Sequence, residues 1–193
     1  MALTHLLYLH GFRSSPLSTK AQMTAAAVAR RNPALTWWCP ALPPSSREAM
    51  DMVLAGLADW PRDSLGVMGS SLGGFYATWL AERLGCKAVL LNPAVRPARD
   101  LAPHVGEHAL WHQPEQHFRF EAAYVDELRA QELAAITQPQ RYYAVIAKGD
   151  EVLDWHEMVG HYPGATIKLL PGGDHALSDY ADHLDAALDF LGV

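Results

Sequence analysis

Strand-length apolar runs and helix-length segments alternate along most of the chain, and this rhythm constrains the fold more than any single residue. Thr4–Leu9, Leu35–Cys39, Leu65–Met68, Lys87–Leu91, Arg141–Ala147 and Thr166–Leu170 are apolar or β-branched and short enough for strands. The intervals read as helices. Residues 19–31 start at a Thr19-x-x-Gln22 capping box and stop at Asn32 before Pro33. Ser45-x-x-Glu48 opens a second helix, which carries Met50, Val53, Leu54 and Leu57 at helical spacing. Leu72–Leu84 stops where Gly85 can adopt a left-handed cap, and a last helix from about Ser178 aligns Tyr180, Leu184, Leu188 and Leu191. Parallel neighbours need crossover connections, and the crossover helices then cover the sheet. The pattern predicts a single α/β domain over 1–193, with about six parallel strands and helices on both faces.

Composition removes several functions. The 193 residues are 50% hydrophobic and 19% charged, which is enough apolar material for a full core. A net charge of −6 argues against a nucleic-acid or anionic-membrane surface. No apolar run nears the ~18 residues of a spanning helix, and no basic stretch precedes Leu6–Leu9 as in a signal peptide. Cys39 and Cys86 form neither a CxxC pair nor a disulfide framework. The expectation is a cytoplasmic enzyme with a small-molecule substrate and no cofactor, nucleic-acid or membrane partner. Its oligomeric state is not legible here.

Chemistry enters at Met68-Gly69-Ser70-Ser71-Leu72-Gly73-Gly74, between a predicted strand and a predicted helix. This is G-x-S-x-G in the context it requires, a strand–turn–helix. A serine on so sharp a turn projects its hydroxyl above the sheet, and only small residues two positions away avoid a clash. Centred on Ser71 the flanks are Gly69 and Gly73; centred on Ser70 they would be Met68 and Leu72. Ser71 is therefore the candidate nucleophile. The helix begins at once, so the Leu72 N–H and the positive end of the dipole can face an oxyanion. Neither the Gly-Lys-Ser/Thr of a phosphate-binding loop nor G-x-G-x-x-G is present.

Two further signals follow in chain order. Lys148-Gly149-Asp150-Glu151-Val152 comes directly after an apolar run, placing an acid at a strand tip. Pro171-Gly172-Gly173-Asp174-His175 follows the last run and precedes the last helix. Acid then base after the serine is the order expected for an elbow of this kind. Asp150 ranks first as the acid, Asp154 second and Glu151 third. His10-Gly11-Phe12 follows the first run, and the Phe12 N–H is the candidate second oxyanion donor, with His10 structural.

With these residues placed, the sequence resembles the α/β-hydrolase superfamily, and within it the small YqiA-like esterase family. The resemblance runs through Tyr8–Ala21, Asp63–Gly85, Leu91–Pro97, Gly149–Trp155 and Gly172–Leu177. It implies a serine esterase for acyl esters or thioesters, with Ser71, Asp150 and His175 as its triad. It also implies a reduced α/β-hydrolase sheet, lacking two edge strands of larger relatives.

One interval breaks the rhythm. Residues 97–138 hold Pro97, Pro103 and Pro114, four histidines from His104 to His117, and no clear strand. We read 98–140 as a short helical insertion, folded over the site as a lid. Its Trp111, Phe118, Phe120 and Tyr124 either line an acyl pocket or seat the insertion on the core, and Trp111 is the candidate substrate contact. His104, His108 and His112 would make a metal-capable stripe on a helix, which Pro103 and Gly106 argue against. His156 to His161 is one residue too long for a zincin pair. Two other classes stay open at this point: a non-catalytic ligand-binding module on the same fold, and an acyltransferase or peptidase using the same three residues.

Overall fold

The computed structural model describes residues 3–193. Its strands in chain order are β1 (His5–Leu9), β2 (Thr36–Trp38), β3 (Leu65–Ser70), β4 (Lys87–Leu91), β5 (Gly106–Leu110), β6 (Gln113–Phe120), β7 (Tyr142–Ala147) and β8 (Thr166–Leu170). The helices are α1 (Thr19–Arg31), α2 (Ser46–Gly56), α3 (Leu72–Leu84), α4 (Pro97–Leu101), α5 (Ala122–Gln131), α6 (Trp155–His161) and α7 (Ala181–Leu191). Six strands pair in parallel, in the order β2-β1-β3-β4-β7-β8. This is a six-stranded parallel sheet of the kind the resemblance implies, with β1 leading into His10-Gly11.

Topology locates the site. The chain steps outward from β1 to β2, then returns across β1 to β3 and continues to β8. Strand order thus reverses between β1 and β3, and at such a point loops diverge to leave a crevice beyond the strands' C-terminal ends. The loops at that crevice are the His10-Gly11-Phe12 turn and the turn at Ser71.

Side-chain alternation fills both faces. Leu7, Leu9, Val67, Leu90 and Ile146 pack with Met50, Val53 and Leu80 of α2 and α3. Leu6, Tyr8, Met68, Val89 and Val145 pack with Val28 of α1 and Leu184 and Leu188 of α7. Strands buried on both sides read as continuous apolar runs, which is why they were visible in the sequence. Ser45 caps α2 as expected, accepting from the Glu48 N–H at 3.1 Å. At α1 the capping residue is Ser18 rather than Thr19. Ser18 keeps the extended backbone a cap needs, and its Oγ accepts from the Ala21 N–H. No helix among the described residues is long and apolar enough to cross a membrane.

The strandless reading of 97–138 is corrected. Besides α4 and α5, the interval contains an antiparallel hairpin, β5–β6. Its strands are polar on one face, with Glu107 opposite Arg119 and ion-paired to it at 3.2 Å. Only Phe118 and Phe120, two positions apart, turn toward the core. So sparse an alternation carries little of the usual strand signal.

Candidate active site

Ser71 sits between β3 and α3 with φ 56° and ψ −121°, a conformation a non-glycine residue rarely adopts. Its neighbours hold it there: Ser71 N–H donates to Leu91 O, and Ser71 O accepts from Gly74 N–H and Ala94 N–H. A Cβ on Gly69 would lie 2.0 Å from Gly73 O, and one on Gly73 would lie 1.9 Å from Leu9 O. The turn closes only because both flanks lack side chains. This is the physical content of the spacing seen in the sequence.

The loops after β7 and β8 meet at this turn. His175 Nε2 lies 3.0 Å from Ser71 Oγ, and His175 Nδ1 lies 2.7 Å from Asp150 Oδ2. The Asp150 carboxylate is fully buried, whereas the His175 ring keeps a fifth of its surface. Asp150 Oδ1 accepts from the Val152 and Leu153 N–H groups, both at 2.8 Å, which fixes the carboxylate on the ring. With Nδ1–H donating to Asp150, Nε2 is left to accept from the serine hydroxyl.

The alternative acids are engaged elsewhere. Asp154 caps α6, accepting from His156 N–H and His156 Nδ1, and these bonds hold its carboxyl below the usual range. Glu151 accepts the backbone N–H of His175 at 2.9 Å, steadying the loop rather than the ring.

Two N–H groups stand free near the hydroxyl. Leu72 opens α3, and neither its N–H nor that of Phe12 has a partner among the described residues. Gly11 brings the Phe12 turn close, since a Cβ there would lie 3.3 Å from Ser71 Cβ and 3.8 Å from its Oγ. His10 is buried and bridges loops: its Nδ1 faces Gly11 O, and its Nε2 accepts from Leu42 N–H. Burial lowers its pKa, and an Nε2 that accepts carries no proton, so the ring is neutral and structural.

One residue escaped the sequence reading. Asn92, fully buried just after β4, donates from Nδ2 to Asp174 O and His175 O and accepts at Oδ1 from Ala147 N–H. It ties the loop bearing His175 to the end of β7. Its available signal was an asparagine directly after a strand, a residue type that tolerates its φ of 41°.

The insertion supplies one wall of an open cleft of about 1010 Å³ that contains Ser71 and His175. Trp111, at the hairpin tip, borders the cleft and is 64% exposed. Arg13 stacks over its ring at 3.9 Å and donates from Nε to Ala109 O, and Trp111 N–H donates to Arg13 O. Phe118, Phe120 and Tyr124 instead seat the insertion on the core, the first two edge-on to Phe12. The histidine stripe does not form. His104 lies in a 3-10 turn, His108 in β5 and His112 in the hairpin turn, and no group of three metal-capable side chains occurs among the described residues. His156 and His161 are at opposite ends of α6, the first paired with Asp154.

A family model described as Uncharacterised protein family (UPF0227) matches residues 5–192. Among solved structures, the chain is similar to the alpha/beta hydrolase domain-containing protein 10 from mouse, at 16% identity and a TM-score of 0.71, over 97% of this chain and 90% of that one. Est1E from Butyrivibrio proteoclasticus is similar at 13% identity and a TM-score of 0.69, over 98% and 87% of the two chains. The esterase domain of a Rhodothermus marinus protein is similar at 17% identity and a TM-score of 0.66, over 100% and 86%. At such identities the likeness establishes the α/β-hydrolase fold.

Proposed function

We propose that this chain, which belongs to the uncharacterised protein family UPF0227, is a serine hydrolase of acyl esters or acyl thioesters. The observation that carries this reading is the continuous relay from Ser71 Oγ to His175 Nε2 at 3.0 Å, and from His175 Nδ1 to Asp150 Oδ2 at 2.7 Å. It lies at the strand-order reversal and opens onto the cleft. The names of two structural relatives, an esterase domain and an alpha/beta hydrolase domain-containing protein, point the same way.

Each group has a role that follows from its position. As Ser71 Oγ attacks the carbonyl carbon, His175 Nε2 takes the hydroxyl proton, and the negative charge moves to the carbonyl oxygen. The N–H groups of Leu72 and Phe12 donate to that oxyanion, aided by the positive end of α3. Collapse expels the alkoxide or thiolate, which receives the proton from His175 and leaves an acyl-Ser71 ester. Water then repeats the sequence, giving its proton to His175 and releasing the acid. Asp150 holds the productive tautomer and stabilises the imidazolium formed in each half.

The test is covalent. A fluorophosphonate probe should label the wild-type chain at Ser71 and leave Ser71→Ala unlabelled, and a panel of acyl esters and thioesters should show turnover. Labelling that persists in Ser71→Ala, or a labelled protein inert toward the whole panel, would overturn the reading.

A further inference from the structure

The turn and helix from Tyr8 to Ala21 carry more polar groups than the reaction above uses. Beyond Ser71 the cleft continues along the N-terminal end of α1, where Tyr8, Ser18, Thr19, Lys20 and Ser70 border it. The groups left over there are hydrogen-bond donors. Ser18 uses its Oγ on the Ala21 N–H and its carbonyl on the Gln22 N–H. The N–H groups of Thr19 and Lys20 have no partner among the described residues, at the positive end of a 13-residue helix. The Tyr8 hydroxyl is fully buried and has no hydrogen-bond partner among the described residues. The Ser70 hydroxyl lies beside it, near enough to pull the Tyr8 pKa down against the burial that raises it, but without hydrogen-bond geometry.

Lys20 supplies the charge. Its Nζ donates once, to Ala176 O at 2.5 Å, and forms no ion pair among the described residues. Burial lowers its pKa from 10.5, and Asp174 acts in the opposite direction. That carboxylate is already committed, accepting from Ser178 N–H and Ser178 Oγ. The carboxylates that line the cleft itself are committed as well, Asp100 to Arg99 and Glu151 to the His175 N–H. A buried donor without an acceptor requires an explanation, and here several donors and a cation share one end of one cleft. On a chain of net charge −6 the overall field disfavours anions, so a local cation facing the cleft is the more informative.

We propose that this end of the cleft is a subsite for an anionic oxygen group of the substrate, a carboxylate or a phosphate. Lys20, the first turn of α1 and the hydroxyls of Tyr8 and Ser70 hold it. The inference rests on the reading of Ser71 as nucleophile, and names a substrate class for it: an ester or thioester that carries a negative charge away from the scissile bond.

A matched pair of substrates tests it, the mono-4-nitrophenyl ester of adipic acid against 4-nitrophenyl methyl adipate. Wild type should favour the charged ester by at least ~10-fold in kcat/KM, the worth of one charge-assisted hydrogen bond. Lys20→Met should bring that ratio close to one while retaining kcat on the neutral ester; Tyr8→Phe and Ser70→Ala should each lower it a few-fold. Competitive inhibition by inorganic phosphate and by adipate distinguishes the two anions, and Lys20→Met should weaken both. Equal loss on both esters in Lys20→Met would make Lys20 a strut for the His175 loop and overturn the subsite. So would a wild-type ratio at or below one without Lys20-dependent inhibition by phosphate. Turnover of either ester by Ser71→Ala would instead overturn the proposed function, so the two failures are distinguishable.

Discussion

The two walls that meet over Ser71 are built on different physical terms. On the sheet side, geometry is set by backbone against backbone: Gly73 lies so close to Leu9 O that no side chain fits between them. On the insertion side, hairpin β5–β6 is held to the Phe12 turn mainly by side chains, with Arg13 over Trp111 and Phe12 edge-on to Phe118 and Phe120. Backbone contacts leave no intermediate states, whereas side-chain contacts can be exchanged one at a time. The sheet side is thus suited to a fixed reaction, and the insertion side to a choice of substrate.

Substitutions can break or sharpen this contrast. The largest effect is expected at the nucleophile. Ser71→Ala should lower kcat by about 10⁶-fold, as in serine proteases, while Ser70→Ala keeps measurable turnover. Steady-state kinetics on one neutral ester decides, and the reverse pattern would move the nucleophile to Ser70. Next comes the acid. Asp150→Asn should cost about 10⁴-fold in kcat through the wrong tautomer, and Asp154→Asn far less, because Asp154 serves only the start of α6. A greater loss at Asp154 would reassign the role.

Gly73→Ala probes the backbone wall directly. Forcing a methyl against Leu9 O should destabilise the protein by at least ~1–3 kcal/mol, read as a lower midpoint in chemical denaturation. An unchanged midpoint would show that the turn can relax. The smallest effect belongs to Trp111→Ala. It should shift the preference between short and long acyl chains several-fold while stability falls by no more than ~1 kcal/mol, the worth of its exposed stacking contact with Arg13. A flat acyl-chain profile would remove the hairpin from substrate selection.

The same contrast explains what could be read from the sequence. Strands such as Ala88–Leu91 and Tyr142–Ala147 are buried on both faces, so their composition alone marked them. Ser71 stood out because its steric demand falls on residues two positions away in the same chain. The hairpin did not, because its exposed face is charged and its anchoring Phe118 and Phe120 make too short a pattern. The spacing of His104, His108 and His112 suggested a helix face, but Gly106, at φ 143°, starts a strand, so the three side chains leave different elements and form no metal-capable group among the described residues. Asn92 and Lys20 act on residues distant in the chain, and long-range partners leave no local spacing to detect.

Asn92 has a consequence for thermal behaviour. One buried amide joins the ends of three neighbouring chain segments, so His175 and the tip of β7 share an anchor inside the sheet besides the bonds that Asp150 and Glu151 make to His175. Loosening that anchor would leave a buried amide and the Ala147 N–H unsatisfied, so the site has little scope to melt ahead of the domain. On heating, turnover of a test ester and global structure should disappear in one cooperative step.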